Sequence, residues 1–276
     1  MLGRLLKYEY KATARTFLVL YPVLILLSVF TKILNFSAPI EEIIENFNIL
    51  NVPKVVVTIT FVMMIVATMV ITFILSLQRF YKNLLCEEGY LQFTLPVSAS
   101  SQILSKLIVS ITWYIASLIV IFISLAILVP FRIYKEIFPI IGNVLGNLGQ
   151  YSAYFKEIFG CSLFTFLSLI LLSGFLGIIL VTMQTYTAMA IGQLVNKNRV
   201  AVSFGAFVGL NFVAQIVSMI SMVILYQVKQ EQLYNARVAS DIFIPTIMIA
   251  IIIAVVLSAT YFFVSNYILS KKLNLQ

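Results

Sequence analysis

This chain has no histidine, two cysteines and few charges: 18 basic and 10 acidic residues in 276, or 10% charged. Each scarcity excludes a class of function. Without histidine there is no ordinary general base near neutral pH and no imidazole for a metal. Cys86 and Cys161 are isolated from each other. They fall on opposite sides of the membrane in the topology below, so no intrachain disulfide and no metal site is expected. The pattern G-x-x-x-x-G-K-[ST] is absent, so the chain has no P-loop for ATP. No nucleophile–base pair can be assembled without histidine or a buried acid. The chain is therefore expected to carry no catalytic residue, no metal and no cofactor of its own.

Apolar residues are abundant, at 62% of the chain. Soluble domains carry about 25% charged residues, far more than here. Six runs, at about 17–34, 55–77, 107–129, 159–186, 201–225 and 244–269, are long enough to cross a bilayer. They lack the alternation of barrel strands, and helices are then the remaining way to satisfy a backbone in lipid. The expected fold is an all-α polytopic membrane protein of six transmembrane helices, one domain over 1–276. The first run follows about sixteen amphipathic residues without a small-residue cleavage site, so no cleavable signal peptide is expected.

Charge sets the orientation. With the N-terminus inside, the inner segments hold Arg4, Lys7, Lys11, Arg15, Arg79, Lys82, Lys106, Lys197, Arg199, Lys271 and Lys272. The other seven basic residues lie outside, balanced by seven acids. The whole net charge of +8 thus sits on one side, which predicts cytoplasmic N- and C-termini. Anionic lipid accounts for the basic excess, and no nucleic-acid partner is needed.

On a helical wheel of residues 1–16, Arg4, Lys7, Lys11 and Arg15 share one face. Leu2, Leu5, Leu6 and Ala12 share the other. This predicts a helix lying in the membrane interface. Glu9 lands among the leucines, so it faces either a protein partner or the headgroups.

No acidic or basic residue is expected deep within a span. That weakens a proton-coupled carrier and leaves one coupled to sodium through backbone carbonyls. Asn211, Gln215 and Ser218 in span five are spaced four and three apart, on one helical face. Amides are costly in hydrocarbon without a partner, so this stripe, joined by Gln184 of span four, is expected to face a protein interior. It either holds helices together or lines a pathway. The loops at about 35–54, 130–158 and 226–243 read as ordinary connectors with short interfacial helices.

The most informative polar stretch is residues 79–106, RFYKNLLCEEGYLQFTLPVSASSQILSK. It is too long and too patterned merely to join two spans. About three helical turns fit before Gly89, and Gly89 and Pro96 then redirect the chain. Arg79 and Lys82 give it a polar side, Leu84 and Leu85 an apolar one. Tyr81, Tyr90 and Phe93 are the amphipathic aromatics enriched at interfaces. Glu87 and Glu88 would be repelled by an anionic leaflet, which favours docking on protein over resting on lipid.

In this loop an acidic residue is followed by G-x-x-x-x-x-L-P and a hydroxyl residue: Glu88, Gly89, Leu95, Pro96 and Ser98. With six spans and an amphipathic N-terminal helix, the chain resembles the permease subunits of bacterial ABC-2 type ABC transporters. The layout agrees over the whole chain, the motif over about twenty residues. The connector between spans five and six is only about eighteen residues and has no cysteine pair, so it departs from the disulfide-bearing form of some eukaryotic relatives. The resemblance implies a cytoplasmic coupling loop in 79–106, with Arg79, Tyr81, Lys82, Glu87, Glu88, Gly89, Tyr90 and Pro96 at a contact with a separate ATP-binding cassette subunit. That partner would bind ATP and magnesium. It also implies a second permease subunit, alike or related, in a bacterial plasma membrane, and export of an amphipathic peptide, lipid or drug-like substrate. The alternatives are a non-transporting assembly or sensory component and an ion-coupled carrier.

Topology is open to a direct test. In a Cys161→Ser background, Cys86 in intact cells is expected to resist an impermeant thiol reagent and to label after permeabilisation. Ready labelling in intact cells would reverse the orientation.

Overall fold

The computed structural model describes residues 2–34, 52–85, 89, 97–195, 197–233 and 238–271. Among them the chain is almost wholly helical, with no strand. The helices are α1 (Leu2–Leu34), α2 (Val52–Phe80), α3 (Ala99–Leu128), α4 (Phe131–Gly146), α5 (Leu148–Phe159), α6 (Leu163–Gly192), α7 (Arg199–Leu233) and α8 (Val238–Lys271). A π-helical turn, Tyr81–Leu85, extends α2. Six helical segments are long and apolar enough to cross a membrane, the shortest being Phe243–Lys271. At about 1.5 Å per residue even that one is longer than a hydrocarbon core of about 30 Å. The protein is a multi-pass membrane protein, as its apolar runs predict.

The segment expected over 1–16 as an interfacial helix is not separate. α1 runs unbroken from Leu2 to Leu34. No glycine or proline interrupts residues 12–18, and one buried stripe continues through the junction. It comprises Glu9, Thr13, Phe17, Leu20, Leu24, Ser28 and Thr31, an eleven-residue repeat of steps four, four and three. Arg4, Lys7, Lys11 and Arg15 are all exposed, as the wheel requires. Glu9 is buried on the packed face, which answers the question its position raises: it faces protein. Ala12, placed with the leucines by the wheel, is exposed.

The chain packs as two units, Met1–Ser76 with Ile108–Asn143 and Leu77–Leu107 with Val144–Gln276. In the first, Leu24, Phe61 and Ile121 form the apolar centre, flanked by Leu27, Met64, Ile65 and Met69. Truncating such a residue to alanine costs about 2–5 kcal/mol. A polar seam runs beside it. Phe17 stacks on Trp113 with centroids 4.2 Å apart, and the Trp113 indole N–H donates to Thr13 Oγ1 at 2.8 Å. Thr13 donates in turn to the Glu9 carbonyl. Ser117 Oγ lies 2.9 Å from the Tyr21 hydroxyl and 2.8 Å from Thr72 Oγ1, while Thr72 donates to the Thr68 carbonyl. The consistent order of donation is Tyr21 to Ser117 to Thr72 to Thr68. Ser76 donates to Ser110 one turn along.

In the second unit α6, α7 and α8 pack on one another, and α5 packs on α8. α6 has no fully buried residue over its first half and is buried from Thr182 to Ala188. At its end α6 meets the start of α7 so closely that Gly192 is required. A Cβ there would sit 2.7 Å from the Arg199 carbonyl oxygen and overlap the Ser203 hydroxyl. Asn198 takes a left-handed conformation, φ 56°, to turn the chain between them.

Gly192→Ala is therefore expected to cost about 1–3 kcal/mol, because a backbone oxygen cannot yield as a side chain can. Gly177→Ala, in the same helix with open space around it, is expected to leave the thermal midpoint in detergent unchanged or higher. Equal midpoints for the two variants would refute the close approach.

Candidate coupling connector and polar stripe

α2 does not stop where its apolar run ends. It continues through Arg79 into the turn Tyr81–Leu85. Lys82 is exposed, Tyr81 half-buried, and Leu84 and Leu85 buried, so the polar and apolar sides read from the sequence are real. Phe80 fixes this end. Its ring stacks on Tyr186 of α6 with centroids 4.1 Å apart and planes 8° from parallel, and both residues are fully buried. Gly89 is also buried. Glu87, Glu88, Tyr90 and Pro96 lie outside the described residues.

The far end of the connector is fixed as well. Ser98 precedes α3, and its hydroxyl accepts from the Ser101 amide at 3.4 Å, an N-cap arrangement. Ser100 donates to Asn266 Oδ1 of α8 at 2.9 Å. Both flanks of the 79–106 segment thus belong to the packed unit of α6 and α8.

Some residues escape the sequence reading. Lys106, counted there among the basic residues of the inner segments, is 2% exposed, and Gln102 one turn before it is equally buried. Glu9 and Lys106 are both charged and buried, but each lies near the start of its helix, ahead of the apolar runs 17–34 and 107–129, so neither places a charge deep within a span. The signal was available for Lys106. Ile103, Lys106 and Ser110 recur at three and four, the spacing of one helical face.

The amide stripe divides. Gln184 is buried, and its Nε2 donates to the Phe207 carbonyl oxygen of α7 at 3.4 Å. Asn211 is half-buried, whereas Gln215 and Ser218 are exposed. Gln215 donates to Asn211 Oδ1 at 2.8 Å within α7, and Ser218 donates to the Ala214 carbonyl. The described residues of this chain thus leave Gln215 and Ser218 uncovered. Periodicity put them on one face but could not say which side of the helix its neighbours would cover.

The polar links that tie α6, α7 and α8 lie elsewhere. Thr187 Oγ1 sits 2.9 Å from the Tyr261 carbonyl oxygen and 2.9 Å from Ser265 Oγ. The Tyr261 hydroxyl donates to the Leu210 carbonyl oxygen at 3.4 Å. Hydroxyls are common in spans, so no sequence pattern singled these out. Among the described residues no cluster of His, Cys, Asp or Glu could hold a metal ion. Compared with family models, curated proteins and solved structures, the chain matches none.

Two substitutions separate structural from exposed polarity. Thr187→Val keeps shape and removes the shared hydroxyl, and is expected to lower stability in detergent by about 0.6–1.7 kcal/mol. Gln215→Leu removes only an exposed bond within one helix, worth about 0.2–0.5 kcal/mol. A larger loss for Gln215→Leu than for Thr187→Val, measured by thermal unfolding in detergent, would show that the stripe holds the fold.

Proposed function

We propose that this protein is the membrane-spanning subunit of an ATP-driven exporter of the ABC-2 type. ATP hydrolysis takes place in a separate ATP-binding cassette subunit, which binds the ATP and magnesium. The observation that carries this reading is the anchoring of the connector. Phe80 is stacked on Tyr186, and Ser100 is bonded to Asn266. A push on either flank, at Phe80 or at Ser100, is therefore delivered to α6 or α8. Lys82 is exposed at its edge, as a contact to another subunit requires.

A second permease subunit completes the reading. Gln215 and Ser218 present polar groups outward from the largely apolar middle of α7. Amides in hydrocarbon are costly without a partner. A neighbouring permease chain covers that side and meets it with polar groups. The cargo is amphipathic, a peptide, lipid or drug-like molecule. The setting is a bacterial plasma membrane with both termini cytoplasmic, as the basic residues require.

The coupling role is tested by changing Glu87 and Glu88 together to Lys. Reversed charge at a docking site is expected to weaken co-purification of the ATP-binding subunit or to abolish substrate stimulation of its ATPase. The fold is expected to survive. Unaltered pull-down together with unaltered stimulation would count decisively against the connector as coupler. Purification of the intact chain with no ATPase partner would favour an assembly or sensory role.

A further inference from the structure

The segment between α3 and α6 holds two helices that are treated very differently by the rest of the chain. α5 has its aromatic residues covered. Phe155 and Phe159 stack at 4.4 Å, and both meet Phe166 of α6. Phe159 also meets Phe243 of α8 edge-on at 6.1 Å. α4 has no such cover. Phe131 and Phe138 are each 68% exposed, Ile140 is 59% and Ile141 is 46% exposed.

Those residues are not scattered. At 100° per residue, Phe131, Ile133, Ile137, Phe138, Ile140 and Ile141 fall within one half of the α4 surface. Lys135, Glu136, Gly142 and Asn143 fall on the other half. Pro139 is on the polar half too. Its missing N–H leaves the Lys135 carbonyl without its helical donor. That is tolerable where water reaches it and costly in hydrocarbon. The proline therefore assigns the polar half to water.

The position of α4 says what meets the other half. α4 begins three residues after α3 ends at Leu128. The Tyr134 hydroxyl reaches back to donate to the Ala126 carbonyl oxygen. Lys32, in the last turn of α1, donates to the Val129 carbonyl oxygen at 3.3 Å. The first turns of α4 are thus held at the level where α1 and α3 leave the apolar layer. Lipid is already the neighbour there.

We propose that α4 is an in-plane membrane anchor: its Phe131–Ile141 apolar half inserts into the headgroup–acyl boundary of the leaflet at which α3 ends, and its Lys135–Asn143 half faces water. A helix of this kind buries its apolar side about 5–10 Å into that boundary. It holds the exit of α3 at a fixed depth. The inference rests on the membrane spans alone and stands apart from the transport reading.

The test uses the full chain in liposomes, with Cys86→Ser and Cys161→Ser as background. Phe138→Cys, Ile141→Cys, Lys135→Cys and Asn143→Cys are each labelled with a small environment-sensitive fluorophore. Quenching is measured with lipids carrying a nitroxide near the headgroup end of the acyl chain, and with iodide in the water. At 138 and 141 lipid quenching is expected to exceed that at 135 and 143 by about twofold or more, with iodide quenching in the reverse order. Iodide access alike at all four positions would overturn the proposal. So would shielding of 138 and 141 from both quenchers, which would mean that protein covers this face. Lipid quenching alike at all four would also overturn it, since the helix would then be immersed rather than split between two media. All four substituted side chains lie on exposed positions of one helix, so each variant is expected to fold.

Discussion

Lipid offers no hydrogen bonds, and that constraint shapes nearly every polar contact here. A backbone in hydrocarbon must be helical, and a polar side chain there must find its partner within the protein. The hydroxyls meet this demand locally first. Thr31, Thr68, Thr72, Thr182 and Ser258 each donate to the carbonyl four residues back in their own helix. The oxygen's lone pairs are then free to accept from a second helix. Thr13 accepts from Trp113 in this way, and Thr72 from Ser117. Local satisfaction makes these residues tolerable in a span, and the remaining capacity lets them join helices.

Each unit sets such links beside a flat aromatic stack. In the first, Phe17 lies flat on Trp113 beside the seam of Thr13, Tyr21, Ser117 and Thr72. In the second, Phe80 lies flat on Tyr186 beside Gln184 and Thr187. With lipid as apolar as leucine, exclusion from water does not drive one span against another. Packing and interhelical hydrogen bonds do so instead. That explains why the buried surfaces are rich in serine and threonine while leucine, isoleucine and valine are widely exposed.

The flanks of the connector after α2 are held by contacts of the same kinds. Its two flanks are gripped by α6 and α8, and the turn Tyr81–Leu85 keeps helical structure beyond the apolar run. The proposed mechanical role rests on these held flanks, not on the length of the segment. On the segment between α3 and α6 the logic is reversed. α5 is held by aromatic contacts, and α4 leaves its apolar half to the bilayer.

The sequence by itself determined the class of fold, the number of spans and their approximate limits. Apolar runs of about twenty residues between polar flanks admit few other structures. It also determined which face of the N-terminal helix is basic, because Arg4, Lys7, Lys11 and Arg15 repeat at helical spacing and need no partner to stay exposed. The two sides of the turn after Arg79 were legible for the same reason, from Lys82 against Leu84 and Leu85. Only the tertiary structure decided which polar faces are covered. Gln184 and Gln215 are the same residue type in neighbouring spans. One is buried against the Phe207 carbonyl, and the other is exposed. Lys106 and Glu9 are buried although both lie near the polar ends of their helices. Periodicity fixes the angle of a residue about its own axis, whereas burial depends on where another helix approaches. That approach is set by contacts far apart in sequence, such as Phe80 with Tyr186, Ser100 with Asn266 and Thr187 with Ser265.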